Sequence, residues 1–352
     1  MKRKELLLRS SLWMQEAENS PVVMSSRIRL ARNLENVPFP HSLSAERSEQ
    51  VARIIAQVLD SVDVEGDRLT YLPLTELSPI ELQVLIEKHL ISADLANAKR
   101  ERGVALTHDH RVAIMVNEED HLRMQVLLPG DQLREAYRLA DSLDDGIEER
   151  LDFAYREAQG YLTACPTNVG TGMRASVMVH LPALVMTNQV QHLLGTLTHL
   201  GLAVRGLYGE GSQALGHLFQ VSNQITLGKS EEDIIAHLEA VTGQIVGMEL
   251  QARENLLQQA RLVLEDKVWR ARGMLQNARL LSSADAMLYL SQDRLGTDLG
   301  ILPKSGQTFA ELLVDSNQGC LQYKLNRELD SQQRDEQRAN QIRAAFAAAN
   351  GR

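Results

Sequence analysis

The periodicity of this chain changes near residue 245, and that change bounds what it can fold into. Before it, period-two and helical segments alternate along the sequence. From Met248 to Leu290 the apolar residues recur only at heptad-like spacing, among abundant Gln, Arg, Glu and Ala, with no alternating strand. The pattern predicts an α+β domain of antiparallel strands flanked by helices over residues 1–245. An all-helical domain over 246–352 should follow.

Local signals place the elements. Ser25 to Leu30 alternates, so Arg27 and Arg29 share one strand face while Ile28 and Leu30 share the other. Val51, Ile54, Ile55, Val58 and Leu59 repeat at helical spacing after Ser44. Ser78-Pro79-Ile80-Glu81 reads as a capping box with proline at the first helical position. Arg111 to Val116 and Leu122 to Leu128 read as strands around a polar corner, Asn117 to His121, and Pro129-Gly130 ends the second. Ser230 to Asp233 should cap a helix that stops near Gly243. Ser282 to Leu299 and Gln307 to Leu329 read as shorter helices, and Asp330 to Ala349 as a polar, alanine-rich one.

Composition excludes several classes. A length of 352 residues suits two domains. Cys165 and Cys320 give neither a disulfide framework nor metal-ligand spacing, so a reducing cytoplasm is the expected location. The basic start, Met1 to Arg9, holds only three consecutive apolar residues, too few for a secretory signal. No stretch reaches the 18 or so apolar residues of a membrane span. A net charge of −9 disfavours a general nucleic-acid surface.

Chemistry concentrates in Cys165-Pro166-Thr167-Asn168-Val169-Gly170-Thr171-Gly172-Met173-Arg174. The glycines permit positive φ and close backbone approach to a ligand, the thiol is a potential thiolate, and the arginine can fork onto a phosphate or carboxylate. Arg27, Arg29, Arg123, Arg174 and Arg205 all flank predicted strand ends or glycine turns. Such a cluster suits a triphosphate, whose transfer is catalysed largely by positioning and charge stabilisation. A glycine-rich phosphate loop is missing, because after Gly211 to Gly216 stand His217 and Leu218 where Lys and Ser/Thr belong. Neither GxGxxG nor HExxH occurs; His108-Asp109-His110 reads as a solvated turn, and no dedicated metal site is predicted. The carboxylates of Glu118-Glu119-Asp120 and Glu210 suit a guanidinium, which they can grip, orient and help deprotonate.

These blocks together resemble the guanidino (phosphagen) kinases. Ser26 to Arg29, Asn117 to Arg123, Cys165 to Arg174 and Arg205-Gly206-Leu207-Tyr208-Gly209-Glu210 occur in that family's order. Two features point to its bacterial protein-arginine kinase branch. Only about 25 residues precede the Arg27 strand, where metabolite kinases carry a substrate-enclosing helical domain of roughly 100 residues; without it a guanidinium pocket stays open to a protein side chain. The second is Arg334-Asp335-Glu336-Gln337-Arg338-Ala339, which fits the branch's RDxxRA motif.

The resemblance implies roles residue by residue. Ser25, Ser26, Arg27, Ile28, Arg29, His89, Arg123, Arg174 to Met178 (with Ala175, Ser176 and Val177) and Arg205 to Glu210 would bind ATP. Glu119 and Glu210 would hold the guanidinium, with Cys165 beside it and transfer direct and in line. Mg²⁺ would ride on the phosphates. Arg334, Asp335, Glu336, Gln337, Arg338 and Ala339 would form a regulatory phosphoarginine pocket. Implied partners are unfolded proteins, a heat-shock repressor, a Clp-type unfoldase, an activator protein and a second copy of the chain, in bacterial stress and quality control. The alternatives are a kinase of free arginine and an inactive phosphoarginine-binding adaptor.

Overall fold

The computed structural model describes residues 3–17, 20–206 and 214–349. Its main sheet has eight strands: β1 (Val23–Arg32), β2 (Thr70–Pro73), β3 (Gly103–Leu106), β4 (Val112–Val116), β5 (Leu122–Pro129), β6 (Met173–His180), β7 (Leu202–Gly206) and β8 (Leu218–Asn223). They lie in the order β7-β8-β6-β1-β5-β4-β3-β2. The pairs β1–β5, β5–β4, β4–β3 and β3–β2 are antiparallel. The α+β class expected from the sequence is the one observed.

Two compact units divide the chain. The first comprises Met1–Trp13, Ser25–Ser176 and Ser222–Glu239; the second comprises Met14–Met24, Val177–Val221 and Ala240–Arg352. In the first, helix α1 (Ala45–Asp60) starts at Ser44, whose hydroxyl accepts the Arg47 N–H, and it buries Val51, Ala52, Ile55 and Leu59 along one stripe. Helix α2 (Pro79–Glu87) carries the full capping box, with Ser78 and Glu81 each bonding the other's backbone N–H. Helix α3 (Leu133–Glu148) lies against β5 and buries Leu133, Ala136, Leu139, Ala140, Leu143 and Ile147.

Helix α4 (Glu231–Gln259) opens with reciprocal bonds between Ser230 and Asp233, as expected. It does not stop near Gly243. Glycine inside a helix costs only about 1 kcal/mol, while Val241, Ile245 and Ala252 beyond Leu238 bury an apolar stripe that offsets it. In the second unit follow α5 (Arg261–Asn277), α6 (Ser283–Asp298), α7 (Phe309–Asp315), α8 (Gln318–Leu325) and α9 (Ser331–Ala349). Leu264 and Val268 of α5 pack with Leu295 and Leu302.

Candidate active site

Three neighbouring strands assemble the candidate site. Arg27 and Arg29 rise from β1, Arg123 from the start of β5 and Arg174 from the start of β6. Alternation buries Ile28 and Leu30 on the opposite face of β1. The β1–β5 register sets Ala31 opposite Arg123, so Arg123 joins the face of Arg27 and Arg29. Arg27 Nε donates to Ser176 Oγ at 3.3 Å. Arg174 reaches Ser222 Oγ at 3.5 Å.

The neighbouring guanidiniums disturb Arg27 and Arg29. Burial, then Arg174 and Arg123, press Arg27 down to about 10. Arg29 falls well below its ordinary value through burial, Arg27, Arg123 and Arg174, with only Glu118 opposing. Arg29 Nε is buried without a hydrogen-bond partner. A patch of buried like charge with an orphaned donor is costly by itself and favourable around an anion.

His89 lies beside this patch, half-buried at the end of α2 with φ of 60°. Its imidazole is pushed down to about 3, first by burial and then by Arg27, so it is neutral at pH 7. Its ring stands 5.3 Å from that of Trp13, and its carbonyl accepts from Gln125 Nε2.

The polar corner is largely packed into the fold. Asn117, Glu118, Asp120 and His121 are buried. Glu118 meets Arg123 Nη1 at 2.6 Å and accepts the Ser92 hydroxyl. Asp120 Oδ1 accepts from Asn33 Nδ2 at 2.6 Å and from the Ala164 N–H at 2.7 Å. His121 Nδ1 accepts the Leu34 N–H while Nε2 faces the Pro38 carbonyl, and burial lowers its pKa to about 4. Only Glu119 stays open, 44% exposed and 3.1 Å from Arg123 Nη2. Its carboxyl is raised above the ordinary value by burial, against Arg123, and further by Asp120, Glu118 and Asp94. That direction makes it a better proton acceptor near neutrality.

Asp120 ties this corner to the cysteine loop, since the residue it binds, Ala164, immediately precedes Cys165. Cys165 is half-buried, with Sγ 3.0 Å from Thr167 Oγ1, and starts the short 3-10 turn Pro166–Asn168. Thr226 Oγ1 lies within hydrogen-bond distance of both the Thr167 and Val169 carbonyls. Gly170 and Gly172 do adopt positive φ, 111° and 63°. The backbone they approach is the protein's own: a Cβ at Gly170 would stand 2.9 Å from Thr226 O, and one at Gly172 2.7 Å from Ala31 O. These glycines therefore fix the loop against its neighbours.

The sequence reading missed Arg32 and Asp144. Arg32 forks onto Asp144 with Nε at 3.1 and 3.0 Å, sends Nη1 to the Ala31 and Thr171 carbonyls, and lies 3.4 Å from the Tyr161 ring centroid. The signal was present: an arginine on the apolar face of β1 requires a buried carboxylate, and Asp144 sits on the apolar face of α3.

Other expected residues fall in several settings. The Ser26 hydroxyl donates to Gly130 O and accepts from Gln132 N, closing the turn after β5. Ser25, Ala175, Val177 and Met178 are buried, and Ala175 N donates to Asn223 Oδ1. Arg205 is exposed near the end of β7, with Gly206 after it. Leu207, Tyr208, Gly209 and Glu210 lie outside the described residues. His108 to His110 is a turn with His108 and Asp109 half-exposed, but His110 is buried with Nδ1 2.9 Å from Ser11 Oγ, and burial lowers it to about 3. Among the described residues no cluster of His, Cys, Asp or Glu is placed to hold a metal ion.

In the second unit Arg338 is buried. It donates to Ser316 O and Leu281 O at 2.8 Å each and meets Asp335 at 2.6 Å. Arg334, half-exposed, donates to Leu329 O. Glu336 is exposed, Gln337 half-buried and Ala339 buried.

Comparison with known proteins matches residues 50–252 to the ATP:guanido phosphotransferase C-terminal catalytic domain. The chain belongs to that family. Residues 261–352 match the protein-arginine kinase McsB C-terminal domain. A protein-arginine kinase from Moorella thermoacetica is 50% identical over 97% of this chain and 99% of its own length. One from Symbiobacterium thermophilum is 48% identical over 98% and 99%. Among solved structures, lombricine kinase shares 26% identity over 70% of this chain and 72% of its own, with a TM-score of 0.59. A duplicated taurocyamine kinase from Schistosoma mansoni shares the fold, with a TM-score of 0.60 over 70% of this chain and 35% of its own.

Proposed function

We propose that this guanidino phosphotransferase moves the γ-phosphoryl group of ATP onto arginine side chains of proteins. The observation that carries the reading is the buried arginine patch on β1, β5 and β6, bordered by Glu119 through Arg123. Near-full-length relatives named protein-arginine kinase supply the acceptor class.

Arg27, Arg29, Arg123 and Arg174 hold the triphosphate, and Arg205 completes the set from β7. They neutralise the charge that spreads over the transferring group, which is the main catalytic demand of phosphoryl transfer. The patch offers guanidinium donors, and Mg²⁺ would be carried by the phosphates and water, where it screens their charge. Glu119 and Glu210 orient the acceptor guanidinium, and Glu119 takes its proton as the nitrogen attacks. Such help is needed because a guanidinium has a pKa above about 12. Cys165 lies beside the acceptor and stays outside the covalent steps. Ser25, Ser26, Ile28 and His89, with Ala175, Ser176, Val177 and Met178, line the nucleotide.

In the second unit, Arg334 and Asp335 are the half-exposed groups of a phosphoarginine-sensing site, and Arg338 holds the helix that presents them. Placement beside a Clp-type unfoldase in the cytoplasm, an activator protein and a homodimer extend the same reading. No helix among the described residues is long and apolar enough to cross a membrane.

The test offers MgATP with free arginine in one tube and an unfolded arginine-rich protein in another, read by mass spectrometry under non-acidic conditions. Phosphoarginine in the protein is expected. Label on free arginine alone would make the chain a small-guanidine kinase, and no label would leave it an adaptor.

A further inference from the structure

An open cavity of about 530 Å³ lies in the first unit beside the cysteine loop. Gly170 and Thr171 of that loop line it, as does Thr226, which anchors the loop's Thr167 and Val169 carbonyls. Its volume falls in the range of small-ligand pockets, which begin at roughly 300 Å³. The arginine patch and Glu119 contribute nothing to its lining.

The lining has two characters. Tyr155, Tyr161 and Leu227 give an aromatic and aliphatic surface, and Tyr155 and Leu227 are more than half exposed, at 55% and 58%. Glu148, Glu157 and Glu231 give negative charge, none with an ion-pair partner among the described residues. Lys229 is the single basic residue in the described lining. Glu148 and Glu231 line the cavity with Tyr161, whose phenol is pushed up by burial, against Arg32, and further by Asp144, Glu148 and Glu231. Tyr161 already carries the Arg32 guanidinium over its ring, showing that these aromatics accept such a group.

A long aliphatic stem ending in a cation matches both characters, because the stem covers apolar surface while the head meets carboxylates. An anion or a purely apolar group satisfies only one. We infer that this cavity is a docking subsite for a second lysine or arginine side chain of the polypeptide being phosphorylated. The inference rests on the arginine-kinase reading above. It makes the enzyme prefer acceptor arginines with another basic residue at a fixed distance along the chain.

The test uses peptides with one acceptor arginine and a lysine at varied offsets on either side, against a control with alanine in its place. With the wild-type chain and MgATP, one offset should lower KM relative to the control and leave kcat unchanged. In E148Q/E231Q that advantage should vanish while KM for the control stays put. Two partly exposed ion pairs make this roughly a threefold to tenfold effect. K229E should enlarge the advantage. An advantage retained in E148Q/E231Q, or a KM raised equally for all peptides, would overturn the subsite. Fluorescent versions of the peptides, titrated without ATP, separate the two readings. Equal affinity for lysine and control peptides would defeat the subsite alone, whereas lysine-dependent binding without any phosphoryl transfer would defeat the kinase reading alone.

Discussion

The molecule holds two groups of arginines that read alike in sequence and differ in their surroundings. On β1, β5 and β6 the guanidiniums crowd one another, Arg27 and Arg29 lose basicity, and Arg29 Nε is buried without a partner. On α9, Arg338 is more deeply buried and engaged by two carbonyls and a carboxylate. The first arrangement leaves one buried donor, Arg29 Nε, unmet; at Arg338 three contacts meet the guanidinium. Burial of an arginine therefore does not mark a binding site. Burial without compensation does.

The largest expected effect breaks the satisfied group. Arg338→Ala orphans the Ser316 and Leu281 carbonyls and should destabilise the fold by about 3 kcal/mol, read by urea denaturation. A loss near zero would mean that Arg338 is not the clamp described.

On the unsatisfied side, Glu119→Gln should lower kcat on protein acceptors on the order of 100-fold, as for loss of a general base, with ATP affinity little changed. Because the Glu119 carboxyl is raised, its base form is lost at a higher pH than for an ordinary glutamate. The acid limb of wild-type kcat/KM should accordingly lie higher than an ordinary glutamate would place it. A variant with unchanged kcat would remove Glu119 from proton transfer.

Much of the contrast was legible in the sequence where its causes are local. Alternation alone put Arg27 and Arg29 on one face, and the Ser78/Glu81 capping box needs only four residues. Strand ends and glycine turns singled out Arg123, Arg174 and Cys165, and the family resemblance gave them roles. What was not legible depends on distant partners. The partners of the polar corner were not legible because its bonds run to Asn33, 87 positions from Asp120, and to Ser48, 69 positions from Asn117. Gly170 and Gly172 suggested a ligand because the strand and loop they abut come from Ala31 and Thr226. The helix through Gly243 continued because tertiary burial overrides a local breaker.

The central claim is that the crowded arginines of β1, β5 and β6 bind the phosphates of ATP, and calorimetric ATP titration of Arg29→Met tests it most directly. Loss of one charge-assisted contact should weaken ATP binding roughly 30-fold, about 2 kcal/mol. The melting temperature without nucleotide should hold or rise, because a like charge leaves a crowded patch. Unchanged ATP affinity, or a fold that melts well below the wild type, would contradict the account.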